Sequence, residues 1–533
     1  MNLPPALAPL QGPVFRGLWL AWLAANLTMW MNDVAAAWLM TTLTSSPVMV
    51  ALVSTASTLP VFVLGLPSGA LADILDRRRY FAATQLWVSC IALILAGLAL
   101  AQALTAEALL LLTFLNGVGL AMRWPVFAAI VPQIVGKQQM PQALALNGIA
   151  MNLSRVVGPA LAGALLSAYS PAAVFVLNAL LAGAAFVLIL RWKSEPRTST
   201  LPGERFWGAM RTGVVHAAQS NRLRVVMLRI FLFFVQVTGL SALLPLLARE
   251  LHGGGPGTFT LMLSCVGVGA ITAALRFPHW RQRFTRNQFV TIGVLVHAAL
   301  SVLVVVVPEV WVAVPAMVVV GMAWISVANS LTVAAQQAMP DWVRARGMSI
   351  YQMALMGGSA AGSVLWGQVA TWTSVPTAVL AAAGFGLLVW LLTRRLSIDW
   401  AADIDFSPVK SGAVPEPAFD IGPDEGPVMV TLEYQIDPAR AAEFAQVMER
   451  TRRARLRQGA LSWGLFRDTA VQGRYVEYFV DENWVEHQRR LERFTAFDAD
   501  LRAQRLAFHV GEGPPVLRRY VADTQLDRPG MPL

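Results

Sequence analysis

The chain has 533 residues, 56% of them hydrophobic and only 14% charged, where soluble domains run to about 25% charged. This excludes an ordinary soluble protein and indicates a polytopic membrane protein. The net charge of +10 is unevenly divided: up to Leu396 there are 24 Lys and Arg against 9 Asp and Glu, a balance of +15, and the remainder carries −5. Basic excess in the short loops of a membrane part follows membrane orientation, whereas a nucleic-acid partner would draw it onto a soluble face, so no nucleic acid is expected.

A spanning helix needs about 20 mainly apolar residues. By that ruler twelve are predicted, six over 14–40, 48–75, 79–101, 107–135, 142–169 and 171–191, and six over 223–250, 256–277, 287–306, 309–338, 346–372 and 376–395. Residues 1–191 thus form an N-terminal six-helix half and 223–395 a C-terminal one. Between them, 192–222 is a polar, basic connector with Pro196, Pro202 and Gly203. The first apolar run is too long for a cleavable signal and is followed by many others. Cys90 and Cys265 lie inside apolar runs, read as small core residues, and build no disulfide framework.

Arg16, Arg77 to Arg79, Lys137, Arg191, Lys193, the connector, Arg276 to Arg286, Arg344, Arg346, Arg394 and Arg395 fall on alternate loops, while the opposite loops carry little beyond Arg249. The positive-inside rule then puts both termini in the cytoplasm. Gly119-Leu-Ala-Met in helix four is echoed by Gly321-Met-Ala-Trp in helix ten, as parallel transporter repeats would produce.

Past Leu396 a linker over 396–427 carries Pro408, Pro415, Pro417 and Pro423. Strand character over 428–436, 461–467, 475–480 and 515–521, with helical charge spacing over 439–458 and 483–506, gives the order βαββαβ. This predicts a small α+β ferredoxin-like domain over 428–522, followed by a tail over 523–533. Such sheets pair face to face, so a dimer through this domain is expected.

Ionisable groups at membrane depth are costly and mark function by default. Asp33 lies 17 residues beyond Arg16, about 25 Å along a helix, in the far half of helix one. It is the candidate for proton coupling, with two other roles open to it: a solvated group, or the fixed partner of one arginine. Arg123 and Arg155 fall near mid-depth on neighbouring helices and are candidates for the substrate pathway. Asn26, Asn152, Gln336 and Gln352 are candidates to line it as neutral hydrogen-bonding groups. His297, alone in helix nine, reads as a packed group. His487 and His509 lack the ligand cluster a metal needs, and no phosphate-binding glycine loop occurs. No cofactor, no metal and no catalytic residue is therefore expected, nor ATP-driven transport.

Gly69-Ala-Leu-Ala-Asp73-Ile-Leu-Asp76-Arg77-Arg78-Arg79 puts five charges between two apolar runs. The motif resembles the loop between the second and third helices of major facilitator superfamily transporters, except that the superfamily has a basic residue at Ile74 and Gly at Asp76. Asp76 before Arg77-Arg78 is similar instead to the branch of transmembrane secretion effectors, which includes the enterobactin exporter. Pro340-Asp341-Trp-Val-Arg344-Ala-Arg346 with Tyr351-Gln352 resembles the same branch. Gly158-Pro159 with Gly163 in helix five is similar to the superfamily's antiporter motif, with Ser154 where its first Gly stands.

The resemblance implies an all-α major facilitator fold of twelve helices in two halves, with Gly69, Asp73, Asp76, Arg77 and Arg78 as a cytoplasmic gate. It implies export of a small amphipathic compound, drug- or siderophore-like, from a bacterial inner membrane by proton antiport and alternating access. Small molecule, protons and lipid bilayer are the partners. Two alternatives remain open, an uncoupled facilitator or importer, and a transporter fused to a small monooxygenase-like or ligand-sensing domain.

Overall fold

The computed structural model describes residues 5–135, 139–192, 206–251, 254–280, 282–399, 405–407, 409 and 417–523. Helices α1 (Pro13–Leu43), α2 (Pro47–Ile74), α3 (Arg77–Leu100), α4 (Ala106–Ile134), α5 (Met140–Ala168) and α6 (Pro171–Arg191) form the first set. After α7 (Phe206–Gln219) come α8 (Asn221–Ser241), α9 (Leu244–Glu250), α10 (Pro256–Trp280), α11 (Arg286–Val306), α12 (Val310–Gln337), α13 (Asp341–Trp372) and α14 (Val375–Thr393). Proline opens α1, α2 and α6, where its missing N–H costs nothing and its fixed φ is already helical. Among the described residues ten segments are long and apolar enough to cross a membrane, α8 and α9 counting as one. The polar groups of α1, and the Gly, Ser and Gln residues along α13, keep those two long helices, of 31 and 32 residues, out of the ten.

The predicted helix 223–250 is broken between Ser241 and Leu244, because Pro245 cannot donate the bond that would carry the helix through. Cys90 faces outward from α3, and only Cys265 is partly buried, so the core expectation fails for Cys90. A side chain is apolar enough for either place, and helix rotation decides.

The chain divides into two compact units, the first made of Met1–Pro202, Val225–Ala334 and Ser349–Asp399. At one end of its bundle the two halves share a core: Met31, Met40 and Leu109 pack in one cluster with Leu243, Met262, Trp366 and Ala382. Thr371 Oγ1 accepts from Val48 N at 3.2 Å, Thr55 Oγ1 donates to Ala360 O at 3.2 Å, and Arg249 donates to Thr41 O. At the other end a second cluster, with Phe15, Trp22, Phe81, Phe127 and Ile189, belongs to the first half alone.

Glycines set the closest helix approaches. A methyl group at Gly321 would lie 2.0 Å from Val266 O, and one at Gly163 would lie 2.2 Å from Thr260 Oγ1, so α10 touches both α12 and α5 through bare backbone. The first-half counterpart of the α10–α12 crossing is at Gly117 against Ala56 and Ser57 of α2, while Gly119 meets Val88 of α3.

The second unit comprises Gly203–Arg224, Ala335–Met348 and Trp400–Leu533. Its sheet of β1 (Val428–Gln435), β2 (Ser462–Arg467), β3 (Arg474–Asp481) and β4 (Val516–Val521) has the order β2-β3-β1-β4, every pair antiparallel. Helix α15 (Ala441–Arg457) follows β1, and the predicted helix 483–506 is two, α16 (Trp484–Glu492) and α17 (Ala496–Leu506). Thr495 causes the break: Asp498 accepts from its N–H and hydroxyl in a capping box, starting a helix afresh. Val428, Val430, Leu432 and Tyr434 alternate inward onto Phe444, Met448 and Phe479, while Met429, Phe466 and Tyr520 are exposed on the other side.

In this unit α7 lies along α15. His216 Nδ1–H donates to Arg457 O at 3.3 Å, and Thr212 sits 3.5 Å from where a Gly459 side chain would begin, a position whose φ of +111° favours glycine. Trp342, at the start of α13, meets the His216 ring edge-on at 5.6 Å and carries the Arg493 guanidinium at 4.9 Å. Burial, with the Arg457 charge, pushes His216 down to about 4.

Candidate functional site

Asp33 of α1 opens on a narrow pocket inside the first half. Its lining comprises Thr28, Met29 and Asp33 of α1, Ser57 of α2, Val88 of α3, and Asn116, Gly117, Leu120 and Arg123 of α4. Gly117 makes this geometry, because only a residue without Cβ lets α4 approach the Ser57 turn of α2. Ser57 Oγ donates to Asp33 Oδ1 at 2.9 Å. Arg123, 2% exposed, donates through Nη1 to Ala25 O at 2.5 Å, has Nη2 4.0 Å from Met29 Sδ, and lies 5.3 Å from the Trp22 ring. Its Nε is buried without a partner. Carboxylate and guanidinium thus face one cavity without forming an ion pair.

Arg155 is elsewhere. Its guanidinium lies 4.4 Å from the Trp324 ring of α12 and 5.5 Å from the Trp30 ring of α1, and Nε and Nη1 are buried without hydrogen-bond partners. Gly158, one turn on, brings Trp30 there: a methyl group at Gly158 would lie 2.6 Å from Trp30 Cβ. Pro159 is buried inside α5.

Of the neutral candidates, Asn26 Nδ2 donates to Trp22 O and Asn152 Nδ2 to Gly148 O, each along its own helix. Gln336 is exposed and Gln352 half-buried, and neither lines the pocket. His297 is buried beside Ser301 and Phe233. Ser57, Asn116, Trp30 and Trp324 are additions. Trp324 ends the Gly321 repeat and could have been found there; the others carry no signal in one dimension.

In the charged turn the surroundings of Gly69 and the side chain of Asp73 lie outside what is described. Asp76 caps α3, Oδ1 accepting from Arg79 N at 2.7 Å, and Arg78 donates to Leu190 O at the end of α6. The predicted loop around Lys137 also lies outside the described residues.

The tail holds a buried polar network. Glu477, 0% exposed, accepts from Tyr434 Oη at 2.9 Å and from Arg455 Nε and Trp463 Nε1 at 3.1 Å each. Asp481 accepts from Arg490 Nε at 2.9 Å and His487 Nδ1 at 2.8 Å, and Arg455 and Arg490 both lie over Phe479. Burial penalises both carboxylates, yet Arg455 and Arg505 hold Glu477, and Arg490 and His487 hold Asp481, below the usual range. Among the described residues no group of three His, Cys, Asp or Glu could hold a metal.

The fold is that of known transporters. A nucleoside transporter aligns over 72% of this chain and 98% of its own with a TM-score of 0.61 at 14% identity. A bacterial homologue of the human lysosomal transporter Spinster, inward-facing and unoccupied, aligns over 75% of this chain and all of its own with a TM-score of 0.57 at 15% identity. In sequence, the chain is 24% identical to the staphyloferrin A transporter of Staphylococcus aureus (strain NCTC 8325 / PS 47) across 47% of this chain and 63% of that protein. It is 23% identical to macrolide efflux protein A of Streptococcus pyogenes across 45% and 60%. The chain thus matches about three fifths of the length of these curated relatives. The family described as transmembrane secretion effector matches residues 5–527. The chain belongs to that family, a membrane transporter family of the major facilitator type.

Proposed function

We propose that the chain is a proton-driven exporter of a small amphipathic compound in a bacterial inner membrane. The observation that carries this reading is the first-half pocket, where Asp33 has Ser57 as its hydrogen-bond partner and shares the lining with Arg123 without pairing to it. A carboxylate so placed can take a proton from one side and yield it to the other as the pocket opens. The siderophore and macrolide relatives support export of drug- or siderophore-like molecules. In this reading α1 and α13 join the ten apolar spans to give twelve in two halves, with both termini cytoplasmic. The end where the halves share a core is then the outer one, and the cargo binds from the cytoplasm between the halves. Arg123 or Arg155 meets its charge, Asn26, Asn152, Gln336 and Gln352 serve the pathway, and Gly69, Asp73, Asp76, Arg77 and Arg78 gate the inner side.

The test uses everted membrane vesicles carrying an imposed pH gradient. Adding a transported compound should dissipate the gradient in vesicles holding the protein and leave it intact in empty ones. Flux that follows the compound's own gradient and ignores collapse of the pH gradient would make the chain a facilitator.

The tail reads as a ferredoxin-like regulatory domain and not as an enzyme, because its buried carboxylates are already matched by arginines. The grouping of α7 and 335–348 with it supports regulation, since α13 begins within that unit and runs on into the other. A second copy would dock on the exposed sheet face around Phe466. Trp342→Ala should change the transport rate at constant protein level, and Phe466→Glu should return the chain to monomers by light scattering; wild-type behaviour in both would remove the regulatory role.

A further inference from the structure

We infer that Arg155, with Trp30 and Trp324, is the binding site for an anionic group on the cargo, and that Arg123 is not. This deepens the exporter reading and rests on it for the word cargo. Four helices converge on Arg155: its own α5, α1 through Trp30, α12 through Trp324, and α10, where a methyl group at Gly267 would lie 3.1 Å from Arg155 O. Two of these belong to each half, so the guanidinium lies at the seam between the halves. Aromatic rings attract the charge of a guanidinium through their faces but accept little from its N–H groups. Nε and Nη1 are therefore left unsatisfied and buried, a state that a carboxylate, sulfonate or phosphate on a ligand would relieve. Guanidinium stays charged whatever its surroundings, so the demand for an anion is permanent.

Arg123 also has an indole neighbour and an unpartnered Nε, but it differs in three respects. It spends Nη1 on Ala25 O, sits among helices of one half only, and opens on the pocket that holds Asp33. The two arginines thus divide the work: Arg123 keeps a positive field beside the proton-binding carboxylate, and Arg155 recognises the cargo. The indoles of Trp30 and Trp324 add an apolar surface beside the anion site. The matching ligand carries one anionic group next to a planar or apolar body.

The experiment measures binding to the purified full-length protein in detergent by tryptophan fluorescence and calorimetry. The probes are cholate, an aromatic sulfonate and an alkyl phosphate, each with its neutral ester, and tetraphenylphosphonium. At least one anion should bind more tightly than its ester and lose roughly ten- to a hundredfold in Arg155→Gln, as expected for a lost charge-assisted hydrogen bond. Arg155→Lys should recover part of the loss, and Trp324→Ala should weaken the same probe. Arg123→Gln should weaken that binding far less than Arg155→Gln does. The inference is overturned if no anion prefers wild type to Arg155→Gln while the variants keep wild-type melting temperatures, or if Arg123→Gln abolishes binding and Arg155→Gln does not. Because binding needs no pH gradient, anion recognition can survive with coupling disproved. Equally, proton-coupled transport with no anion binding that depends on Arg155 would sink this inference and spare the exporter.

Discussion

Asp33→Asn should bring proton-coupled transport down to the level of empty vesicles while leaving the protein inserted and folded. The amide has the carboxylate's size, and Ser57 Oγ can donate to its oxygen as it does to Asp33 Oδ1 at 2.9 Å, so the pocket keeps its shape. What disappears is the exchangeable proton. The rest of the lining cannot replace it: Thr28, Ser57 and Asn116 do not titrate in the working range, and Arg123 stays charged. A loss of at least about a hundredfold is expected, the lower end of what a positioned acid–base group contributes. Downhill exchange of compound across the membrane should persist, because alternating access does not itself need the proton. The two readouts, dissipation of an imposed pH gradient and counterflow in its absence, should therefore separate in the variant. Undiminished dissipation would move the coupling role away from Asp33, and His297 of α11 would be the next group to test.

The membrane part was legible because the bilayer imposes a one-dimensional rule. Hydrophobic length marks where helices begin and end, and, the break before Pro245 apart, the ends of the expected segments lie within a few residues of helix ends. Asp33, Arg123 and Arg155 were legible for a related reason, since a charge inside an apolar run is conspicuous in any sequence. What they touch was not. Whether Asp33 faces Ser57 or lipid depends on rotation about α1 and on how closely α4 can approach α2, which Gly117 decides at a distance of some sixty residues from Ser57. Cys90 illustrates the same limit, an apolar residue that faces outward. Trp30 and Trp324 were two among 18 tryptophans, and only their meeting at Arg155 distinguishes them. In the tail, the strands were marked by alternation, but the buried charges were hidden. Nothing in one dimension pairs Glu477 with Arg455 or Asp481 with Arg490, because each partner comes from a different element.

That burial makes Glu477→Leu the substitution with the largest expected cost in stability. Leucine fills the site but leaves the Arg455 guanidinium, 8% exposed, without its carboxylate, and leaves Tyr434 Oη and Trp463 Nε1 without an acceptor. Removing one member of a buried pair costs about 3–5 kcal/mol. A domain of this size is stable by about 5–15 kcal/mol, so a large fraction of the margin goes. Glu477→Gln should cost less, because its amide oxygen can still accept from Tyr434 or Trp463. Acid provides an independent check on the sign. Glu477 and Asp481 titrate below their ordinary range in the folded state, so they add stability above the unfolded values of about 4.3 and 3.9 and lose it as pH falls through the folded ones. The wild-type tail should therefore unfold in acid, and the part of that slope owed to Glu477 should be missing from Glu477→Leu. Hydrogen exchange of β1 and β3 in the detergent-solubilised full chain reads both effects. Protection of these strands should collapse in Glu477→Leu at neutral pH while the helices of the membrane unit stay protected. Equal protection in wild type and variant would mean that the arginines find other partners, and that the network is not what holds the sheet to its helices.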